Sequence, residues 1–167
     1  MAFNPIIASG PNSANPHAVP GERLLTSGDT LIIDWGARYD GYVSDLTRSF
    51  LIGEENKQMK EIFSIVLEAN QAARTSVKAG ISAFEVDRTA RNIISSKGYG
   101  DAFLHRTGHG IGMLPHESPY ISQSENTILE EGMVFTIEPG IYLPGIGGIR
   151  IEDNVLVSDG IGITLSN

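Results

Sequence analysis

Residues 30–51 read TLIIDWGARYDGYVSDLTRSFL. The run TLIID is apolar and partly β-branched, as a strand requires. Asp40-Gly41 signals a tight hairpin turn, whose two central residues need positive φ. The stretch therefore predicts a strand over 30–38 and an antiparallel return over 42–51. Asp34 and Asp45 then lie on adjacent strands of one hairpin, the economical way to set two carboxylates side by side. Each has a plainer reading on its own. Asp34 could bond a turn amide at a strand end, and Asp45 could pair with Arg48. The two together favour a shared site, because both point to the same end of the hairpin.

Upstream, residues 3–9 (FNPIIAS) read as a short strand. The turn-rich stretch GPNSANPHAVPGERLLTSGD follows and feeds directly into residue 30, which suits an ordered loop at a site. Downstream, Met59, Ile62, Phe63, Val66, Leu67, Ala69 and Ala73 recur at helical steps, predicting a helix from 55 to about 79 with Gly80 as its C-terminal cap. Ser82-Ala83-Phe84-Glu85 is a capping box, which starts a second helix running to about 97, before Gly98 and Gly100. The remainder is β-rich with glycine turns, with strands expected over 132–139, 149–157 and 161–165. Strands, two helices, then strands make an α+β layout with an antiparallel sheet.

The chain has 167 residues, enough for one domain with a sizeable core. Net charge is −8 and no basic run occurs, which disfavours nucleic acid and anionic membranes as partners. The absence of cysteine excludes disulfides, thiolate nucleophiles and thiolate zinc sites. Any metal must be held by oxygen and imidazole. No signal peptide and no membrane-spanning apolar run is visible, so a cytoplasmic enzyme is the default expectation.

Three further residues complete a constellation with the two aspartates. His109 sits in GHGIG, Glu138 in FTIEPG and Glu152 in GIRIED. All lie in apolar or Gly-rich segments, where a bare charge is costly to bury. Four acids and one imidazole converging on one place would repel unless cations sat among them, so a metal centre is the first hypothesis. Arg150 alternates with Glu152 and faces the same side of a pleat. That pair is either a surface ion pair or a cation that orients the carboxylates or contacts substrate. Three of the four histidines, His105, His109 and His116, fall within HRTGHGIGMLPHE. A lone histidine is more often structural, but Gly108 and Gly110 let the backbone at His109 approach a ligand. GHGIG lacks the lysine of a phosphate loop and opens no obvious helix.

The segments NPHAVPG, IIDWGARYDGYVSDLTR, HRTGHGIGMLPHE, IEPGIY and GIRIED, in this order, resemble the pita-bread metallopeptidases (family M24), in particular the aminopeptidase P and prolidase branch. The resemblance spans essentially the whole chain. It implies a pita-bread fold of creatinase/aminopeptidase type, a curved antiparallel sheet covered by helices. It implies that Asp34 holds one metal, that His109 and Glu138 hold the other, and that Asp45 and Glu152 bridge them. Glu138 is implied as proton shuttle, His116 and His17 as catalytic hydrogen-bond donors, and His105 and Arg150 as substrate contacts. Oxygen-rich ligation with one imidazole suits manganese, with cobalt or zinc as alternatives.

The expected activity is hydrolysis, with two divalent metal ions, of the bond between an N-terminal residue and proline. A methionine aminopeptidase-like enzyme and a non-catalytic metal- or peptide-binding module are the alternatives. The expected partners are proline-containing peptides and a second copy of the chain, as a homodimer. The family domain opens with helices and a strand ahead of the part that matches residues 3–9. Residues 1–167 are therefore expected to form one catalytic domain, partial at its N-terminus, lacking those first helices and exposing one apolar flank of its sheet.

Overall fold

The hairpin read from residues 30–51 is present in the computed structural model, which describes residues 1–54 and 56–166. Strand β1 (Ile6–Ser9) pairs with β2 (Thr30–Trp35). The turn is built by β3 (Arg38–Tyr39) and β4 (Tyr42–Val43), and β5 (Leu46–Leu51) returns along β2 with Asp34 opposite Thr47. Asp40 and Gly41 have φ of 47° and 87°, the left-handed pair that a two-residue hairpin turn demands. The strand predicted to reach residue 38 ends at Trp35. The chain twists out of the main ladder there, so Asp45 sits just ahead of β5. On this sheet Ile32, Asp34, Thr47 and Ser49 point inward, while Ile7, Trp35 and Phe50 are exposed on the outer face.

Helix α1 (Lys57–Ser76) is capped by the Asn56 side chain, which accepts from the Met59 N–H. Its predicted start at residue 55 lies outside the described residues. Its predicted end at Gly80 is corrected to Ser76. Val77 turns extended, its carbonyl accepts from the Gly162 N–H, and Lys78 pairs with Ile161. A tertiary strand contact thus removes the last turn, and Gly80 serves a later turn. Helix α2 (Ala83–Ser96) starts at Ser82, whose hydroxyl accepts from the Glu85 N–H. The reciprocal half of the capping box is replaced by a Glu85–Arg88 contact.

The second half contributes β6 (Gly108–Gly110), β7 (Glu117–Ile121), β8 (Val134–Ile137), β9 (Gly140–Leu143), β10 (Gly147–Arg150), β11 (Asp153–Ser158) and β12 (Ile161–Thr164). Sequence reading missed β6, β7 and β9. The single strand expected over 149–157 is two strands, broken at Ile151 and Glu152. The strands form four sheets, ordered β1-β2-β5, β3-β4, β9-β10 and β12-β11-β8-β6-β7, with antiparallel pairing throughout the described residues. This is the pita-bread α+β architecture. The core lies between the helices and the sheets: Ile62, Val66 and Ala69 of α1 and Val86, Ala90 and Ile94 of α2 meet Phe135, Ile137, Ile149 and Val155.

Candidate metal centre

The five predicted ligands all converge on one cavity of about 470 Å³. Asp34 reaches it from the end of β2, Asp45 from the gap before β5, His109 from the centre of β6, Glu138 from the residue after β8, and Glu152 from the break between β10 and β11. Glycine is required on both sides of His109. A Cβ at Gly108 would collide with the Thr136 carbonyl of β8, and one at Gly110 with the Ser118 carbonyl of β7. Close packing of three strands therefore fixes the His109 backbone, and its N–H donates to Thr136 Oγ1 (3.1 Å).

The His109 tautomer follows from its contacts. Nδ1 lies 3.1 Å from the Gly110 carbonyl, so Nδ1 carries the proton and donates. Burial drives the ring's pKa down to about 3, so it is neutral at ordinary pH. Its Nε2 lone pair then faces Glu138 Oε1 at 3.3 Å and Asp45 Oδ2 at 3.8 Å.

The acids are placed as firmly. Thr47 Oγ1 donates to Glu152 Oε2 (2.7 Å), and the Glu152 N–H donates to the Thr47 carbonyl. The Glu138 N–H donates to the Thr107 carbonyl (2.7 Å). The Asp45 carbonyl accepts from Asn154 Nδ2 (2.8 Å). Arg150, 3% exposed, donates from Nη2 to Asp34 Oδ2 (2.5 Å), from Nε to Thr47 Oγ1, and from Nη1 to Tyr142 Oη and the Pro16 carbonyl. The surface ion pair with Glu152 is therefore replaced by a buried one with Asp34. Arg48, a conceivable partner of Asp45, bonds Asp153 and the Glu152 carbonyl instead.

Burial and mutual repulsion leave this cluster short of positive charge. The Asp45 carboxyl is pushed up to about 8, first by burial and then by Asp34 and Glu138. Glu138 is pushed up to about 7 by burial, opposed by Arg150. Glu152 is raised well above the usual range by burial, then by Glu138, Asp45 and Asp34. Asp34 Oδ1, Asp45 Oδ1 and Glu152 Oε1 are buried with no hydrogen-bond partner among the described residues. Such acceptors are expensive to bury unsatisfied. Hard, oxygen-preferring cations would satisfy them, and the neutral imidazole adds one borderline donor. Three groups have donor atoms all within 4.8 Å of one another: Asp34, Asp45 and Glu152; His109, Glu138 and Glu152; Asp45, His109 and His116. Asp45, Glu152 and His109 each recur in two groups.

The other predicted residues line the same cavity. His116 packs edge-on against His109, with ring centroids 4.1 Å apart. His17 is exposed at the rim, and neither its ring nor that of His116 makes a hydrogen bond among the described residues. His105 differs. Its Nε2 lies 2.8 Å from Tyr142 Oη and its Nδ1 lies 2.7 Å from the Arg106 carbonyl. Tyr142 accepts from Arg150, so it donates to His105 Nε2, and both imidazole nitrogens are engaged within the protein. Sequence reasoning missed Thr47, Thr136 and Tyr142. The period-two spacing from Asp45 to Thr47 and the four-residue step from Glu138 to Tyr142 were the available signals. A larger groove of about 790 Å³, between Trp35 and Met133, holds none of the five ligands, so donor chemistry rather than size marks the site.

Comparison with known proteins gives a consistent result. The sequence profile of metallopeptidase family M24 matches residues 1–159. The chain is 53% identical over 157 residues to a Xaa-Pro dipeptidase of Pyrococcus horikoshii, covering 94% of this chain and 45% of that protein. Among solved structures it is similar to a recombinant prolidase from Thermococcus sibiricus (TM-score 0.98, 54% identity, 99% of this chain and 45% of that one). It is similar also to a prolidase from Pyrococcus furiosus (TM-score 0.97, 49% identity, 99% and 49%). The chain thus spans about half the length of the curated relatives it matches.

Proposed function

We propose, from the premise that this chain belongs to metallopeptidase family M24, that it hydrolyses the peptide bond between an N-terminal residue and proline, as a Xaa-Pro dipeptidase. The observation that carries the reading is the set of three unsatisfied buried carboxylate oxygens beside a neutral imidazole whose free nitrogen faces them. Asp34, Asp45 and Glu152 would hold one divalent cation. His109, Glu138 and Glu152 would hold the other, with Asp45 shared. Manganese is the metal this donor set suits best.

When bound, the cations supply Lewis acidity to the scissile carbonyl and the attacking water. The chain's own groups do the rest. Glu138 accepts a proton from the water and passes it to the leaving proline nitrogen. His116 and His17, with uncommitted ring nitrogens at the cavity, donate hydrogen bonds to the carbonyl oxygen as charge develops and to the peptide backbone. Arg150 holds Asp34 and Thr47 in place, and with His105 it forms a wall that the substrate meets, braced from behind by the buried Tyr142. The reading extends to a cytoplasmic homodimer. Its support is the acidic chain without a basic run and the exposed Ile7, Trp35 and Phe50 on one sheet face. No described helix is long and apolar enough to cross a membrane.

The test is mass-spectrometric detection of cleavage by the manganese-loaded chain. The panel holds a Xaa-Pro dipeptide, a Xaa-Pro-Xaa tripeptide and a Met-Ala-Xaa control, each with and without chelator. Chelator-sensitive cleavage of the dipeptide in preference to the others is expected. Preference for the tripeptide would reassign the chain as an aminopeptidase. Cleavage of the Met-Ala control would make it methionine aminopeptidase-like. Manganese binding without any cleavage would reduce it to a binding module.

A further inference from the structure

One fully buried polar side chain has no part in the chemistry so far described. Asn70 lies in the middle of α1, on a face that otherwise buries Val66, Ala69 and Ala73. Nothing about the helix requires an amide there, and an apolar residue would suit the core better. The amide is nonetheless nearly saturated. Its Nδ2 donates to the Ile137 carbonyl (3.0 Å) and to the Ile151 carbonyl (3.2 Å), and its Oδ1 accepts from Arg74 Nε (2.8 Å). Arg74 is itself anchored, by Thr164 Oγ1 at 2.9 Å and Asp153 Oδ2 at 3.4 Å.

The two carbonyls belong to different segments. Ile137 ends β8, and Ile151 lies in the break before β11. Each immediately precedes a candidate ligand, Glu138 and Glu152. Both ligands stand where their strands leave the ladder: Ile137 is paired with Asp153, and the residues that carry the two carboxylates lie beyond that pair. Hydrogen bonds from outside the ladder therefore hold their backbones where strand pairing stops. The main-chain carbonyls of Thr47 and Thr107 accept from the Glu152 and Glu138 N–H groups, and the Asn70 side chain holds the preceding carbonyls from the helix side, spanning both segments at once.

We propose that Asn70 is a positioning residue that fixes the separation of Glu138 and Glu152 by tying their preceding carbonyls to one amide. The assignment rests on the two-cation reading of the site. A metal held by carboxylates from separate segments requires those segments at a set spacing, and outer partners of ligands typically govern metal affinity by 10–100-fold.

The test is manganese binding by the whole chain, followed by the electron paramagnetic resonance signal of the free ion. The variants are Asn70→Ala, which removes both donors, and Asn70→Asp, which keeps the shape but turns a donor into an acceptor. Ile94→Ala, in the same core on α2, is the control for lost packing. Both Asn70 variants should weaken manganese binding about 10–100-fold, and the control should leave it unchanged at temperatures where all are folded. Unchanged affinity in folded Asn70 variants, or equal weakening by Ile94→Ala, would overturn the assignment. A wild type that binds no manganese would sink the two-cation reading itself, a different failure from variants that match a binding wild type. Should neither variant fold, the wild type still answers. The nuclear magnetic resonance signals of the Asn70 side-chain amide should shift when diamagnetic magnesium or zinc loads the site, and no shift would reject the coupling.

Discussion

Loading the protein with manganese near pH 6 should release on the order of two to three protons per chain, and the number follows from the cluster. A carboxyl with a pKa of about 8 (Asp45) or about 7 (Glu138) is roughly 90% or more protonated at that pH. Glu152 is raised in the same direction, by burial first and then by Glu138, Asp45 and Asp34, and takes the count from two towards three. These groups lie close enough to titrate as a set, so the count belongs to the set rather than to any one of them. His109, lowered to about 3, is already neutral and contributes none. Ligands must be deprotonated to bind, so the logarithm of affinity should rise with pH at a slope of about 2–3 near pH 6 and flatten at higher pH. Isothermal titration calorimetry in buffers of different ionisation enthalpy counts the protons directly. A release below about one proton per chain near pH 6 would refute the reasoning, because the carboxylates would then be ionised or remote from the metal.

The same shifts set the stability of the metal-free chain. A carboxyl whose folded pKa is raised stabilises the fold fully below its unfolded value of about 4 and loses that contribution as pH rises through the folded value. His105 and His109, lowered to about 4 and about 3 by burial, act oppositely: their contribution is present above the unfolded value of about 6.5 and is lost as pH falls. The two trends oppose each other between about pH 4 and 6.5. Above about 6.5 only the carboxyls act, and the metal-free chain should lose about 2–4 kcal/mol between pH 6.5 and 8. Urea melts in chelator measure this, and saturating manganese should abolish the slope.

Thr47→Val keeps the shape but removes the buried hydroxyl that donates to Glu152 and accepts from Arg150, so manganese affinity should fall about 10–100-fold and the fold should lose about 1–3 kcal/mol in urea denaturation. Arg150→Met leaves Asp34 buried without its cation, so the metal-free chain should lose about 3–5 kcal/mol in urea denaturation. A loss below about 1 kcal/mol would mean that Asp34 finds other solvation. Gly108→Ala drives a Cβ into the Thr136 carbonyl of β8, so the variant should lose more than about 2 kcal/mol of stability and, where it folds, bind manganese poorly through a displaced His109.

What could be read from the sequence was local. The hairpin was legible because Asp40-Gly41 carries its own turn chemistry, and α2 because Ser82 caps it within four residues. The five candidate ligands were legible as charges in apolar company, which has no cheap explanation but a shared partner. Strand β6 was not, because Gly-His-Gly has no hydrophobic alternation and becomes a strand only through its neighbours on β7 and β8. The end of α1 was misplaced for the same kind of reason: Val77 leaves the helix to bond a strand that lies more than eighty residues downstream. Asn70 was invisible, and Thr47 and Tyr142 offered no more than their spacing from Asp45 and Glu138, because an uncharged polar residue in an element raises no alarm until its partners are known.

The candidate ligands also share a backbone circumstance that the sequence did not display. Asp34 is the penultimate residue of a strand, Asp45 precedes one, Glu138 follows one, Glu152 occupies a break, and His109 sits in a strand of three residues. Continuous ladders would satisfy their own main-chain groups and alternate side chains to opposite faces. Interrupted ones leave main-chain groups free to be held by Thr47, Thr107, Asn70 and Arg48, and let neighbouring carboxylates turn to one cavity. Each interruption and each buried acid is a local departure from what favours folding, and such departures gather at functional sites. The concentration of both kinds at one place is therefore independent support for the site, separate from the donor chemistry. It also explains why the residues holding those interruptions in register should govern metal affinity.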